Sequence, residues 1–484
     1  MRGHAALTDG VDSLTADALA ARAAQVSSLL LAATPRIAAL ALLADNGIDW
    51  VVLDRAAAAA RIPLVPLPPF FTPAQIAHAL AASGADALVA AGPVAGDALG
   101  FGEGVPLTGT GLALQRREVR EAAPLPPGTA KITFTSGTTG APKGVCLDEG
   151  LQWRVAESIA GALRDVPIER HLCLLPLSVL LENVAGIYAP LVRGATVCVP
   201  PLTATGLRGS SQFDPLACLH AVEQFAAHSA IVLPQMLLAL TLAVERGAPA
   251  PKSMRFLAVG GAKVAPSLLE RARAVGLPAY EGYGLSECAS VVALNVPGAD
   301  RPGSVGRRLP HARVAVDAQH EIVVHGPTFL GYTGDAEARR DAPLPTGDIG
   351  SVDDAGFVHV AGRRKGILIT SFGRNVSPEW PEAELVADGV VAQAAVFGEA
   401  RPVLCAVVVP RDPAIGNAEL ASAVEAANAR LPDYARIGPW LRAEAPFALD
   451  NGLATANGRV RRDAILAVYG ARLDDLYESQ HAVP

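Results

Sequence analysis

Helical and strand patterns alternate along most of the chain. Residues 37–66 contain an apolar run, a stretch with apolar residues at helical spacing and a β-branched run, which together predict strand, helix and strand. The order helix, turn, strand recurs at 76–91, 191–200, 220–234 and 268–284. Such alternation predicts an open α/β sheet whose ligand crevice lies beyond the carboxyl ends of the strands.

The pattern changes near residue 303. Short β runs separated by Gly and Asp turns predict a small, mostly antiparallel unit there. From about 366, the strand pair in "AAVFGEARPVLCAVVVP" and the amphipathic helix in "NAELASAVEAANARL" predict a third unit. Gly and charged residues interrupt two apolar strands at 362–366, "GRRKG". We therefore divide the chain into an N-terminal domain, 1–363, and a C-terminal domain, 364–484.

Composition narrows the class of protein. The chain has 484 residues, of which 51% are hydrophobic and 18% charged, so we expect a compact protein with two or more domains. The net charge of −7 provides no clustered basic surface for nucleic acid, which we set aside as a partner.

Cysteine spacing and the N-terminal sequence bear on compartment. Six scattered cysteines form no CxxC pair and no spacing suited to zinc, so we expect small buried side chains in a reducing compartment. The N-terminus lacks an apolar signal core, and no run of about 18 uncharged apolar residues suggests a membrane span. We expect a cytoplasmic protein without a transmembrane segment; the sequence does not indicate its oligomeric state.

A loop rich in Gly and hydroxyl residues follows an alternating strand in "ITFTSGTTGAPKGV", 132–145. Backbone N–H groups at its glycines, together with hydroxyls and the ammonium of Lys143, would form a cradle for a triphosphate. Pro142 precedes the lysine, so this is not a Walker P-loop; a polar hairpin loop is the alternative. The predicted nucleotide contacts of the loop are Thr135, Ser136, Gly137, Thr138, Thr139 and Gly140.

Further motifs follow in order. They are "VGGAKVAP" at 259–266, "YEGYGLSE" at 280–287, "TGDIG" at 346–350 and "AGRRKGILITSFGRNVSPEWPE" at 361–382. Alone, "YGLSE" could be a strand-to-helix turn with an N-cap Ser, and a lone TGD is usually a turn. Together with the phosphate loop, these stretches resemble the motifs of the adenylate-forming superfamily, which includes acyl-CoA synthetases, peptide-synthetase adenylation domains and luciferases. The resemblance runs from about residue 37 to 465.

The resemblance implies roles for the residues of "YEGYGLSE". Glu281 and Gly282 belong to the nucleotide motif, Tyr283 places its ring against adenine, and Ser286 lies near the α-phosphate. Glu287 binds Mg²⁺, which makes chemical sense because a hard cation prefers carboxylate oxygen.

The other motifs carry implied roles as well. The backbone of Gly261 and Ala262 lies along adenine, Asp348 binds both ribose hydroxyls, and Arg363 contacts ribose or phosphate. Gly373 matches the glycine that lets pantetheine approach the adenylate.

The resemblance also implies a fold and a reaction. The fold is α/β, with a large N-terminal domain of stacked sheets, a small β-rich subdomain and a small mobile α+β C-terminal domain. In such enzymes a carboxylate attacks the α-phosphate of ATP, pyrophosphate leaves, and a thiol opens the mixed anhydride. We expect CoA, or the phosphopantetheine of an acyl carrier protein, as the thiol. The small domain is expected to rotate about Lys365 between the two steps.

The segment "LCLLPLSVLLENVAGIYAPL", 172–191, bears on the acid. It resembles long-chain acyl-CoA synthetases in "LPLS" and Glu182, although Val179 replaces a common histidine and Leu181 a frequent aromatic residue. No aspartate is present to pair a substrate ammonium, which argues against an α-amino acid. We expect an apolar acyl or aryl acid, although these side chains could also be helix core. The predicted pocket residues are Val179, Leu180, Val184, Gly186 and Ile187.

The last motif departs from the superfamily pattern. Relatives carry roughly Gly-Lys-x-x-Arg, whose lysine contacts the substrate carboxylate and the α-phosphate; here Gly458, Arg459 and Arg462 fill these positions. No lysine follows Lys365. Arginine keeps the charge and can bind bidentately, but its planar group is larger. Three hypotheses follow: a working ligase that uses Arg459, an enzyme that transfers the acyl group to a carrier protein, amine or other nucleophile, or a nucleotide-binding relative with weak adenylation.

Overall fold

A computed structural model describes residues 4–92, 99–119, 124–135, 143–209, 212–339, 342–455 and 458–481. The helices of these residues, numbered along the chain, are α1 (Ala16–Ala32), α2 (Ile48–Ala60), α3 (Pro73–Ser83), α4 (Glu149–Ala162), α5 (Ala189–Val192), α6 (Pro215–Gln224), α7 (Pro234–Glu245), α8 (Pro266–Ala274), α9 (Glu379–Ala387), α10 (Asn417–Ala429) and α11 (Arg462–His481).

The strands of the described residues fall into three stretches of the chain. The first stretch contains β1 (Ala5–Thr8), β2 (Ser13–Thr15), β3 (Leu40–Leu43), β4 (Leu64–Pro66), β5 (Ala87–Ala90), β6 (Val105–Pro106), β7 (Ala113–Arg116), β8 (Lys131–Thr135), β9 (Lys143–Leu147), β10 (Arg170–Leu172), β11 (Thr196–Cys198), β12 (Leu207–Arg208), β13 (Gln212–Phe213), β14 (Ser229–Val232), β15 (Phe256–Val259) and β16 (Ala279–Leu285). The second contains β17 (Ser290–Leu294), β18 (Arg307–Arg308), β19 (Arg313–Val316), β20 (Glu321–His325), β21 (Gly331–Tyr332), β22 (Leu344–Val352) and β23 (Val358–Arg363). The third contains β24 (Leu368–Ile369), β25 (Asn375–Val376), β26 (Val391–Phe397), β27 (Leu404–Pro410) and β28 (Ile437–Arg442).

Two large sheets form the N-terminal part. One has the order β18-β17-β16-β15-β14-β10-β11-β1-β2, with parallel pairing from β16 through β1 and antiparallel pairing at both ends. The other has the order β21-β9-β8-β4-β3-β5-β7-β6, in which β8, β4, β3 and β5 pair in parallel. The helix-to-strand alternation predicted from the sequence is therefore present, and the α/β class is confirmed.

Local sequence signals account for many of the helix starts. Pro73, Pro215, Pro234 and Pro266 each occupy the first helical position, where the missing N–H costs nothing and the fixed φ suits the helix. Thr72 adds a capping box at α3, because its hydroxyl accepts from the backbone of the third helical residue. These helices cover the buried strands of the sheets and close the hydrophobic cores.

The region after residue 303 forms the small β unit that the sequence predicted. Strands β19, β20, β22 and β23 make an antiparallel sheet in that order. A single 3₁₀ turn, Arg364–Gly366, then leads into the C-terminal part, where β26, β27 and β28 form a sheet flanked by α9, α10 and α11. The domain boundary proposed after residue 363 coincides with the end of β23 and stays a prediction.

Helix α9 packs the C-terminal part onto the N-terminal part. Ser267 Oγ donates to Glu384 Oε2 at 3.1 Å, and Arg271 donates to the carbonyl of Ala387. Ala387 is fully buried in a core cluster that otherwise belongs to the N-terminal part. The contact between α8 and α9 therefore fixes how the two parts are arranged in this structure.

Two sequence expectations concern the whole chain. All six cysteines are free and buried. None of the helices in the described residues is both long enough and apolar enough to cross a lipid bilayer.

Candidate active site

The carboxyl ends of parallel strands β14, β15 and β16 lie side by side at one edge of the nine-stranded sheet. Gly261 follows β15 with φ +86°, and a Cβ on it would lie 3.0 Å from Leu233 Cδ2. A Cβ on Gly282 of β16 would lie 2.9 Å from Leu294 Cδ1. Both glycines therefore allow neighbouring leucines to pack closely against the backbone at this edge, which is where an α/β sheet places its ligand crevice.

Asp348 stands at the centre of the first polar cluster. Tyr283 Oη donates to its Oδ2 at 2.6 Å, and Arg363 forms an ion pair with it, with Nε 2.9 Å from Oδ1. Arg363 lies directly opposite Asp348 in the β22–β23 pair, and its Nη1 also donates to the carbonyl of Thr346 at 2.9 Å. Burial raises the pKa of Asp348, and the Arg363 guanidinium partly offsets this effect. Burial and the Asp348 carboxyl raise the pKa of Tyr283 well above its usual range.

A second polar cluster joins Lys143 and Glu287 through Tyr332. Tyr332 Oη donates to Glu287 Oε1 at 3.0 Å, and Lys143 Nζ lies 5.2 Å from the centre of the Tyr332 ring. Burial and Glu287 raise the pKa of Tyr332 to about 12, so the phenol keeps its proton and remains a donor. Our sequence interpretation missed Tyr332; its only local signal is an aromatic residue after Gly331 at the edge of a sheet.

Arg459 lies within electrostatic range of Arg363. Gly458 has φ +75° and donates to the carbonyl of Thr455, which closes a tight turn and presents the exposed side chain of Arg459. Partial desolvation, followed by repulsion from the Arg363 guanidinium, lowers the pKa of Arg459. Two arginines, one of them paired with Asp348, therefore act on each other electrostatically, which is an arrangement suited to an anion.

Arg462 anchors the segment that carries Arg459. Its Nη2 donates to both carboxylate oxygens of Glu382, at 2.7 and 2.6 Å, and its Nη1 donates to Glu379 Oε1 at 3.3 Å. Both acids occupy the first turn of α9, where the helix dipole favours negative charge. Arg462 therefore ties the turn of Arg459 to the helix that packs on the N-terminal part.

The predicted phosphate loop connects β8 and β9. Thr135 pairs with Lys143 at the end of this antiparallel pair that adjoins the loop, and Lys143 is exposed there. The remaining predicted contacts of the loop lie outside the described residues; they are Ser136, Gly137, Thr138, Thr139 and Gly140.

The other residues of the nucleotide motifs are placed as follows. Ala262 is exposed next to Gly261, and Ser286 is half-buried in the short turn Ser286–Cys288. Glu281 is buried; burial raises its pKa to about 7, although Lys263 favours the ionised form. The side chain of Glu281 therefore belongs to the packed base of the crevice.

Two predicted residues lie at or beyond the domain junction. Lys365 is exposed in the single turn after β23. Gly373 has φ +71° and sits next to exposed Phe372 in the turn between β24 and β25. Their roles in domain rotation and pantetheine access stay predictions.

The predicted acid segment forms a π-helix, Glu182–Tyr188, after an αR residue at Leu181. Leu180, Val184 and Ile187 are 5%, 0% and 0% exposed within the main hydrophobic core. Their role as pocket residues stays a prediction, as does that of half-buried Val179 and of buried Gly186, whose surroundings are described below.

Leu181 and Ala185 form a half-buried face of this segment that our list of pocket residues omitted. Both contact the two large core clusters. A Cβ on Gly260 would lie 3.8 Å from Leu181 Cδ2 and 3.7 Å from the carbonyl of Gly282. Leu181 therefore reaches the glycine-lined edge where Gly261 and Gly282 lie.

A surface cavity of about 330 Å³ lies elsewhere. It is lined by residues of α4 and of the turn after β18, and it includes none of the site residues named above. The candidate site is consequently defined by polar contacts at the sheet edge and not by this cavity.

Comparison with known proteins shows similarity to AMP-binding enzymes along most of the chain. A family model described as AMP-binding enzyme matches residues 1–333, and one described as AMP-binding enzyme C-terminal domain matches residues 365–481. The long-chain-fatty-acid–CoA ligase FadD15 of Mycobacterium bovis is 27% identical over 425 residues, covering 72% of this chain and 70% of the relative.

Solved structures give the same picture of the fold. The o-succinylbenzoate CoA synthetase of Bacillus subtilis, in complex with its acyl-adenylate intermediate, superimposes with a TM-score of 0.75 at 23% identity, covering 96% of this chain and 95% of that one. It has also been solved with ATP and a magnesium ion. The amide bond synthetase McbA of Marinactinospora thermotolerans has a TM-score of 0.74 at 25% identity, covering 96% and 97% of the two chains.

Proposed function

Since this chain belongs to the AMP-binding enzyme family of the adenylate-forming superfamily, we propose that it activates an apolar acyl or aryl acid with ATP and transfers the acyl group to CoA. The first step would release pyrophosphate and form an acyl adenylate. One observation carries the proposal: Arg459, which replaces the usual lysine, lies within electrostatic range of Arg363, the partner of Asp348. A cation at this position is what the first step requires.

The Asp348 cluster fits the nucleoside of ATP. Tyr283 contacts one carboxylate oxygen of Asp348 and Arg363 contacts the other. Each oxygen can still accept one more hydrogen bond, so Asp348 can bind two hydroxyl groups. These two contacts also fix the carboxylate against rotation. We propose that Asp348 binds the ribose hydroxyls and that Tyr283 lies against the base.

Glu287 fits a magnesium ion. It offers hard carboxylate oxygen at a half-buried position, and Tyr332 holds one of its oxygens through a hydrogen bond. Mg²⁺, when bound, supplies positive charge to the phosphate oxygens. Glu287 would hold the ion, while Lys143, next to Tyr332, would contact the β- and γ-phosphates.

Arg459 would neutralise charge in the adenylation step. The acid's carboxylate and the α-phosphate both carry negative charge as they approach, and a guanidinium can donate to oxygens of both groups. Arg363 lowers the pKa of Arg459, and an anion bound between the two arginines would relieve their repulsion. The two side chains together would therefore favour the charged transition state over the free enzyme.

The acid would bind along the half-buried face of Leu181 and Ala185. Both are aliphatic, as is Leu233 beside Gly261. Apolar side chains of this kind stabilise an apolar acyl or aryl body and leave an α-ammonium group without a partner. We propose Leu181 in particular as the residue that limits the width of the pocket.

Pyrophosphate exchange tests the proposed first step. With a panel of fatty and aryl acids, the full chain should incorporate labelled pyrophosphate into ATP, and Arg459→Ala should lower the rate by about 10²-fold or more. Arg461→Ala is the matched control, because Arg461 lies two residues away, is exposed and donates to the carbonyl of Gly452. It should leave the exchange rate unchanged.

Two results would contradict this proposal. Absence of exchange with every acid, in a protein that still binds ATP, would favour a nucleotide-binding relative. Equal rates for Arg459→Ala and the native chain would show that Arg459 has no part in adenylation.

A second candidate concerns the acceptor of the acyl group. Similarity to the amide bond synthetase McbA favours an amine as the alternative to CoA. Product analysis with an active acid separates the two: a thioester with CoA supports the first proposal, whereas an amide formed with added amines supports the second. Transfer to an acyl carrier protein stays a further prediction of the sequence and can be measured in the same assay.

A further inference from the structure

His171, Cys173 and Glu182 form a buried cluster at the base of the acid segment. These residues are at most 3% exposed, and one nitrogen, one sulfur and one carboxylate oxygen lie within 4.8 Å of one another. His171 Nε2 and Glu182 Oε1 are 3.5 Å apart, and neither atom has another hydrogen-bond partner in the described part of the chain. The cluster therefore places three potential ligand atoms in a dry core.

Strand β10, the π-helix and Gly186 bring the three side chains of the cluster together. His171 lies in β10 and Cys173 just beyond it on the same face of the sheet, while Glu182 opens the π-helix. A Cβ on Gly186 would lie 2.4 Å from Glu182 Oε1 and 3.0 Å from His171 Nε2, so only glycine fits there. Single π-helical turns occur frequently at functional sites.

Ser229 fixes the imidazole of His171. Its Oγ lies 2.9 Å from His171 Nδ1, on the next strand of the sheet. In the tautomer whose Nδ1–H donates to Ser229 Oγ, Nε2 presents its lone pair, which is the usual arrangement behind a metal-binding histidine. Nε2 then faces Glu182 Oε1, and two acceptors at this distance need a cation or a proton between them.

Charge also favours a divalent cation. An ionised carboxylate in a dry core is costly, and outside the cluster the Glu182 carboxylate accepts a hydrogen bond from the backbone N–H of Leu175, at 3.3 Å. Glu182 and Cys173 as anions, His171 as a neutral ligand and a divalent cation sum to zero charge. Such a site would satisfy His171 Nε2 and Glu182 Oε1, while Cys173, whose thiol donates to the carbonyl of Gly186 at 3.5 Å, would lose that proton on binding the metal.

We propose that His171, Cys173 and Glu182 bind one zinc ion. Nitrogen, thiolate and carboxylate are the ligands that zinc prefers, at about 2.0–2.3 Å. Tetrahedral coordination at these lengths separates ligand atoms by roughly 3.3–3.8 Å, so the observed pair at 3.5 Å already has the required spacing. Small side-chain movements would bring the sulfur into place.

The zinc site would stabilise the acid segment. Glu182 is the first residue of the π-helix and directly follows Leu181. Leu181 and Ala185 form the half-buried face of this segment. A zinc ion shared by Glu182 and the histidine of β10 would hold this face at a fixed distance from the sheet. The role is structural and is independent of whether the acceptor is CoA or an amine.

Metal analysis of the full chain tests the proposal. Protein produced with added zinc and freed of loosely bound metal by a chelator should retain about one zinc per chain. Cys173→Ser and His171→Ala should retain none. Cys198→Ser is the matched control, because Cys198 is a buried cysteine of the neighbouring strand that packs in the cluster on the opposite face of the sheet. It should retain the zinc.

Cobalt keeps the test decisive if a ligand variant fails to fold. Native chain produced with cobalt should show the intense visible bands of tetrahedral Co²⁺ and a thiolate-to-cobalt charge-transfer band, also in Cys198→Ser. Native chain without stoichiometric metal under both conditions would overturn the proposal, and a proton shared within the cluster would then account for its geometry. Zinc that persists in folded Cys173→Ser would overturn it as well.

Discussion

At the scale of single residues, Tyr332 connects parts of the site that are far apart in sequence. Its hydroxyl holds Glu287, and its ring lies beside Lys143 of the hairpin that carries the phosphate loop. The high pKa of Tyr332 keeps the phenol a donor over the whole physiological range. We therefore infer that Tyr332 orients the carboxylate proposed to hold magnesium.

Tyr332→Phe should raise the Mg²⁺ concentration that gives half-maximal pyrophosphate exchange by about 2- to 10-fold, because one hydrogen bond to a charged group is lost. Tyr434→Phe, at an exposed position in the C-terminal part, is the control and should change nothing. A normal Mg²⁺ requirement in Tyr332→Phe would mean that the hydroxyl does not orient Glu287.

At the scale of elements, the first turn of α9 and the start of α11 form one unit. Arg462 opens α11 and binds Glu379 and Glu382 of α9, and Arg459 lies three residues before it. Since Arg459 is exposed on a short turn, its direction depends on this ion-pair group. We infer that Arg462 is a positioning residue for adenylation.

Arg462→Ala should lower pyrophosphate exchange by about 10-fold or more, because small misplacements of a catalytic cation are costly. Transfer of the acyl group from synthetic acyl adenylate to CoA should persist, and Arg462→Lys should recover part of the exchange. Arg472→Ala, which removes an exposed pair with Glu444 from the same helix, serves as control. Equal loss of both steps would indicate a purely structural role.

At the scale of the whole molecule, the contact between α8 and α9 holds the arrangement that brings Arg459 to Arg363. Arg271 of α8 donates to the carbonyl of Ala387 and approaches Asp388 at 3.8 Å, while Ser267 binds Glu384. If the C-terminal part rotates between the two steps, these contacts must break. Their strength therefore sets how much of the protein is arranged for adenylation.

Arg271→Ala should slow pyrophosphate exchange by about 3- to 10-fold, in proportion to the loss of one or two hydrogen bonds across the contact. CoA transfer from synthetic acyl adenylate should be unchanged or faster. Arg273→Ala is the matched control, since Arg273 lies on the same helix but contacts Ala279 and Asp300 within the N-terminal part. Parallel loss of both steps in Arg271→Ala would contradict this account.

Much of the fold could be predicted because its signals are local. Apolar periodicity, β-branched runs and Pro at helix starts are read within a few residues, and they place α2, α3, α8 and their neighbouring strands. The half-buried residues Leu181 and Ala185 of the acid segment could not be found in this way. The sequence suggested small or aliphatic residues such as Val184 and Ile187, which are buried in the core. In a π-helix the wider turn changes which side chains share a face, and no local pattern marks such a turn.

The sequence by itself determined the α/β class, the order of the nucleotide motifs and the presence of arginine at position 459, since each is a property of neighbouring residues. Only the tertiary structure decided that Arg459 comes within electrostatic range of Arg363, that Tyr332 holds Glu287, and that His171 and Cys173 meet Glu182. These contacts join separate strands and helices. Strand order, register and helix packing bring them together, and no local pattern in the chain encodes these distances.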